Sequence, residues 1–159
     1  MIDVPPHIRE QILRELRKID PNLPHLHIDS QAARHGAIAL MGTLGEAWGL
    51  RPDGSFWKFD DEFDMPLTSL EPEREIQALV WGCERFSWLS ELLPPRPTNA
   101  KECIPCEGTG WLIPSNVVMV NARGFICEQC QGLGWRDSAL DGHASVGRKW
   151  WQLWKRPQR

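Results

Sequence analysis

The sequence predicts a small α+β protein, and three features carry that expectation. Apolar residues recur at helical spacing near the start of the chain and again over residues 68–93. A tight turn, Arg51-Pro52-Asp53-Gly54, joins two short runs rich in aromatic residues. Further on, one nine-residue pattern of cysteine and glycine occurs twice. The parts expected are an α+β body at 1–93, made of a helix, a β-hairpin and a long helix; a proline-rich linker at 94–100; a four-cysteine β-hairpin module at 101–136; and a short basic, tryptophan-rich tail at 137–159.

In the body, Ile8, Ile12, Leu16 and Ile19 fall on one side of a helix over 5–19, and Leu13 widens the stripe. Pro5 and Pro6 suit its start, and Asp20-Pro21 ends it. Residues 21–36 read as irregular or partly helical. Residues 37–41 suit a buried strand. The runs 44–50 and 55–59 flank the turn, where Pro at the second position and Gly at the fourth favour reversal. Trp48, Phe56, Trp57 and Phe59 are expected to supply its cross-strand contacts. The acidic run 60–64 is either a solvated connector or a docking surface for a basic partner.

The long helix is expected from Thr68 or Ser69 to Leu93, with acids and Pro72 in its first turns. Ile76, Leu79, Val80, Cys83, Phe86 and Leu93 make one apolar face, with Cys83 as a small core residue. Trp81, Trp88 and Leu92 make a second stripe. Such a helix is either sandwiched or shows one side to a partner.

The chain has 159 residues, enough for one ordinary domain or a small domain with a satellite. Its net charge of −3 is uneven. Residues 1–98 hold 16 acids and 10 bases, whereas 99–159 hold 5 acids and 8 bases, which suggests two parts with different tasks. No apolar stretch approaches the roughly 18 residues of a membrane span. The start, MIDVPPHIRE, lacks a secretory pattern. Paired cysteines without an export signal point to metal in a reducing compartment, so the expected location is cytoplasmic.

Both cysteine copies read C-x-x-C-x-G-x-G-W, at Cys103 to Trp111 and Cys127 to Trp135. Two C-x-x-C pairs separated by 20 residues are the ligand set of a closed structural zinc site, held by Cys103, Cys106, Cys127 and Cys130. Four thiolates leave no coordination position for substrate, which argues against catalysis at the metal. Gly108 and Gly132 permit positive φ after each second cysteine, and Gly110 and Gly134 permit close passage of the returning chain. A strand at 117–120, a turn at 121–124 and a returning strand at Phe125-Ile126 would carry the two knuckles to one metal. Trp111 and Trp135 hold equivalent places, either packed internally or paired as a surface for a partner.

The repeat C-x-x-C-x-G-x-G resembles the cysteine-rich zinc domain of DnaJ-type chaperones and of small plastid and bacterial proteins that borrow it. The match covers 103–110 and 127–134. DnaJ-type proteins carry four such repeats and two zincs, whereas this chain has two repeats, and no His-Pro-Asp triplet of a J-domain occurs. The resemblance implies one zinc on these four cysteines and a rigid platform for contact with other proteins, including unfolded or assembling chains.

Other candidates are weaker. His25 and His27, with His35 and Asp29 nearby, read as a second metal group or as surface or turn histidines. Phosphate loops, nucleophile elbows and H-E-x-x-H are absent. In the tail, Trp150, Trp151 and Trp154 are interleaved with Arg148, Lys149, Lys155 and Arg156. This segment seals the body, docks into a partner, or binds a phosphate-rich surface. The expected function is non-enzymatic protein binding, as an adaptor, a chaperone-like protein or an inhibitor of immunity type. Trp81, Trp88, Trp111, Trp135 and the tail tryptophans would supply the contacts. The alternative is a nucleic-acid-binding zinc protein using the basic tail. An enzyme with carboxylates and histidines gathered from residues 25–64 is the third reading.

Overall fold

The structure is a computed structural model that describes residues 1–22, 27–43, 46–59, 68–71, 74–112 and 124–137. The chain divides into two compact units, Met1–Leu93 and a second that begins at Pro94. Helices and antiparallel strands make up the described residues, so the α+β class holds. The acidic run 60–64, the strand expected at 117–120, His25, and the tail with Trp150, Trp151, Trp154, Arg148, Lys149, Lys155 and Arg156 lie outside the described residues.

Helix α1 is Pro6–Lys18. Pro6 stands in its first turn, where a missing N–H costs little, and Arg17 and Lys18 in the last turn suit the helix dipole. Ile8 and Ile12 are fully buried. A second helix, α2 (Ile28–Arg34), occupies part of the stretch expected to be irregular or partly helical. Seven residues are too few for a clear apolar period. Its end is well specified, however. Gly36 takes φ +71°, its N–H bonds Ala33 O at 2.9 Å, and the Ala37 N–H bonds Ala32 O at 2.9 Å. These are the two bonds of a Schellman stop.

Strands β1 (Ile38–Thr43), β2 (Glu46–Leu50), β3 (Phe56–Phe59) and β4 (Thr68–Ser69) form an antiparallel meander in chain order. The turn between β2 and β3 closes as its sequence predicts, with the Gly54 N–H on Arg51 O at 3.0 Å. Asp53 accepts the Ser55 hydroxyl at 2.6 Å, which holds its carboxyl below the usual range. The register differs from a ladder of facing aromatics: Trp48 stands opposite Lys58, and Trp57 opposite Gly49. The pairing in β1 shifts between Ala39 and Met41, so Leu40 is the extra residue of a bulge. Small residues Ala32, Ala37, Ala39 and Ala47 pack with Phe59 in one cluster, which lets α2 lie close to the sheet.

The long helix of the sequence reading is not continuous. Thr68 and Ser69 are extended and pair with Lys58 and Trp57, which satisfies the edge of β3. Helix α3 covers only Glu75–Arg85, and a 3₁₀ segment follows at Ser87–Leu92. Phe86 breaks the helix at φ −132°, ψ 87°. The break brings Leu89 against Gly82, where an added Cβ would lie 2.8 Å from Leu89 Cδ1 and 2.7 Å from Leu40 Cδ2. Burial of Leu89 and Leu92 thus replaces the last two helical turns. Trp81 and Trp88 therefore do not form a straight stripe. Both are half-buried, and Trp88 tilts against Phe86 with ring centres 5.5 Å apart. Ile76, Leu79 and Val80 are buried as expected, but Cys83, Phe86 and Leu93 are only half-buried.

Candidate metal centre

Four short strands frame the second unit: β5 (Ala100–Glu102), β6 (Trp111–Leu112), β7 (Phe125–Ile126) and β8 (Trp135–Asp137). Strand β5 leads into the first knuckle and pairs with β8, which leaves the second. Strand β7 leads into the second knuckle and pairs with β6, which leaves the first. The repeated sequence therefore folds as two halves that hold each other. The Cys103 N–H bonds Gly134 O at 2.9 Å, and the Cys127 N–H bonds Gly110 O at the same distance.

Within each knuckle the backbone turns through two left-handed residues, Glu107 (φ 49°) with Gly108 (φ 77°), and Gln131 (φ 54°) with Gly132 (φ 89°). The glycine pattern foretold the second of each pair, while the non-glycine member was not legible. Close passage falls on Gly110 and Gly134. A Cβ on Gly110 would stand 2.2 Å from Gly132 O, and one on Gly134 would stand 2.1 Å from Gly108 O. The same two residues aim their N–H groups at sulfur, Gly110 at Cys106 Sγ and Gly134 at Cys130 Sγ, each at 3.3 Å. These bonds offset part of the negative charge of a thiolate cluster.

The sulfurs of Cys103 and Cys127 are 3.8 Å apart, those of Cys106 and Cys130 are 3.7 Å apart, and all four lie within 4.8 Å of one another. Tetrahedral coordination with bonds of about 2.3 Å requires sulfurs about 3.8 Å apart. The donor set fits a single tetrahedral metal ion, and the spacing is far too long for disulfides. All four cysteines are buried. Without metal, burial pushes the Cys130 thiol up to about 11, against the Gly134 and Gly132 N–H groups. Burial also raises Cys103, reinforced by the neighbouring thiols. At Cys127 burial pulls upward too, but the N–H groups of Cys130 and Gln129 win and the thiol is lowered. A bound divalent cation overrides these differences, because coordination deprotonates a thiol outright.

Trp111 and Trp135 are half-buried, on β6 and β8 of the two separate ribbons. His27 stands at the start of α2 and His35 at its end, separated by roughly 12 Å of helical rise. Among the described residues these two histidines form no metal cluster, and Asp29 pairs with the Arg85 guanidinium at 2.8 and 2.9 Å. Among the described residues, the four cysteines are the one cluster suited to metal. Cys83 stands apart; burial pushes its thiol up to about 11, so it is uncharged near neutrality. No helix among the described residues is long and apolar enough to cross a membrane.

Two features escaped the sequence reading. Thr109 Oγ1 lies 2.6 Å from Cys106 O and 3.0 Å from Trp111 O, and it accepts the Trp111 N–H at 3.2 Å. Ile104, Leu112 and Phe125 are exposed. The signal for both was present as the positions where the two copies differ. Comparison with protein-family models, curated proteins and solved structures gives no match to this chain.

Proposed function

We propose that the chain is a non-enzymatic, zinc-stabilised protein-interaction module that binds another protein as an adaptor, a chaperone-like factor or an inhibitor. The observation that carries this reading is the unequal surface of two equal backbones. Leu112 and Phe125 stand opposite each other on the first ribbon and are 36% and 63% exposed. Their counterparts on the other ribbon are Arg136 and Lys101, also opposite each other. Ile104, 86% exposed, has Glu128 as its counterpart. Charge suffices for solubility at these places, so apolar residues held open on one half favour a contact surface.

Zinc is the proposed metal because four buried thiolates form a soft, closed, tetrahedral set. When bound, it supplies folding energy on the order of 10 kcal/mol rather than an open coordination position. The likeness of the knuckles to DnaJ-type zinc domains supports the same reading. A reducing, cytoplasmic setting belongs to this proposal, since thiolate ligands must stay reduced.

The test is capture of partners from native extract, with and without nuclease, by the wild type and by a Leu112→Asp/Phe125→Asp variant. A stoichiometric protein partner is expected, with capture reduced on the order of tenfold or more in the variant while zinc content stays unchanged. Capture of nucleic acid that nuclease abolishes, or a variant that binds as well as wild type, would overturn it.

A further inference from the structure

The two knuckles share one backbone path but not one stiffness. The first is built around Ile104-Pro105-Cys106, which forms a 3₁₀ turn with Pro105 in its first positions. The second, Glu128-Gln129-Cys130, is a plain turn with no proline. Proline removes unfolded-state freedom, which corresponds to roughly a two- to fivefold shift toward the ordered turn. Past the second cysteine, the Thr109 hydroxyl clamps the first knuckle to the Cys106 and Trp111 backbone. Leu133 holds the matching place and has no hydroxyl. The Glu102 side chain also lies over Gly108, where an added Cβ would meet its carboxylate at 2.3 Å. The corresponding residue before the second knuckle is Ile126, which has no polar group to offer.

Resting on the metal-site reading, we propose that the knuckles act in a fixed order. Cys103 and Cys106 take the metal first and release it last, while Cys127 and Cys130 close over it last and open first. The first pair depends less on its partner to hold its bidentate geometry, whereas the second pair must be ordered at a greater cost of turn entropy. A competing thiol chelator or a thiol-directed electrophile therefore meets Cys127 and Cys130 before the other two. Static exposure gives no such order, because all four cysteines are buried, between 0% and 4% exposed.

The test uses the full chain carrying one equivalent of zinc, challenged with excess EDTA and pulsed with N-ethylmaleimide. Peptide mass spectrometry reads the labelling of each cysteine, with Cys83 as an internal reference outside the site. Cys127 and Cys130 are expected to label several-fold faster than Cys103 and Cys106. A Pro105→Ala/Thr109→Val variant should narrow the gap by opening the first knuckle. A Gln129→Pro/Leu133→Thr variant should narrow it by stiffening the second, so one variant that fails to fold leaves the other decisive. Simultaneous labelling in wild-type protein, or Cys103 and Cys106 first, would overturn the order. A chain that takes up no stoichiometric zinc would instead overturn the metal reading itself, and metal analysis before the challenge separates the two failures.

Discussion

A single atom added at Gly110 would meet backbone rather than a side chain that can move away. The Gly132 carbonyl stands 2.2 Å from that position, and Gly132 is itself fixed by its N–H on Cys127 O at 3.2 Å. Gly110 also has φ +80°, where an L side chain costs about 1–2 kcal/mol before any collision. Gly36 has a similar φ of +71° but nothing within 4 Å of an added Cβ. The two glycines therefore separate backbone strain from collision. Gly36→Ala should cost about 1 kcal/mol. Gly110→Ala should cost several times that and reduce metal content, because the strand that would have to move carries the ligands. Thermal unfolding with metal analysis checks both; a Gly110→Ala protein with a full equivalent of zinc and unchanged unfolding would remove the collision argument. Repetition made Gly110 legible in the sequence. Gly36 was equally informative as a helix stop, but α2 offers only seven residues of pattern before it.

Between elements of the first unit, Arg85 links α3 to both α2 and β1. It sits at the end of α3, donates from Nη2 to both carboxylate oxygens of Asp29 on α2, and donates from Nη1 to Ala39 O of β1 at 2.9 Å. Both members of the pair are partly exposed, at 37% and 27%, so solvent screens part of the Coulomb gain. What a lysine cannot reproduce is the planar fork that serves two elements at once. Arg85→Lys should lower stability by about 1 kcal/mol and the unfolding midpoint of this unit by about 4–8 °C. Lys18→Gln, which breaks only the Glu15 pair on the surface of α1, should stay within about 0.5 kcal/mol. Equal effects would show that the fork contributes only surface charge. The same region shows where sequence pattern fails. Apolar periodicity across 68–93 is real, yet it does not encode that Thr68 and Ser69 pair with β3 or that Leu89 packs back on Gly82. Helical spacing specifies a face only while the helix lasts. The hairpin and the knuckles were legible because their turns are written in Pro, Gly and Cys at fixed offsets, which act locally.

At the scale of the whole chain, the two units are held by different physics. The first buries Ile8, Ile12, Ile38, Leu40, Leu50, Ile76, Leu79 and Leu89, each at 1% exposure or less. At about 1.5–3 kcal/mol for each large side chain, this is an ordinary apolar core. Among the described residues of the second unit, the buried apolar side chains are the four cysteines. On the proposed reading, the metal site is the core of these described residues, and removing the metal would remove that core. Each ligand must also shed a proton to bind, and the metal-free Cys130 holds its proton up to about 11. Unfolded, metal-free thiols stay protonated below their ordinary value, so the metal-bound state binds fewer protons and its stability rises with pH up to that value. EDTA at neutral pH, or acid near pH 5 without chelator, should therefore unfold the second unit while the first keeps its own transition. Tryptophan fluorescence would report loss of the Trp111 and Trp135 environments, and far-ultraviolet dichroism would report retention of the α1 and α3 signal. Two transitions are expected, of which only one responds to metal and pH. A single transition that moves as a whole with chelator would show instead that the two units fold as one cooperative body.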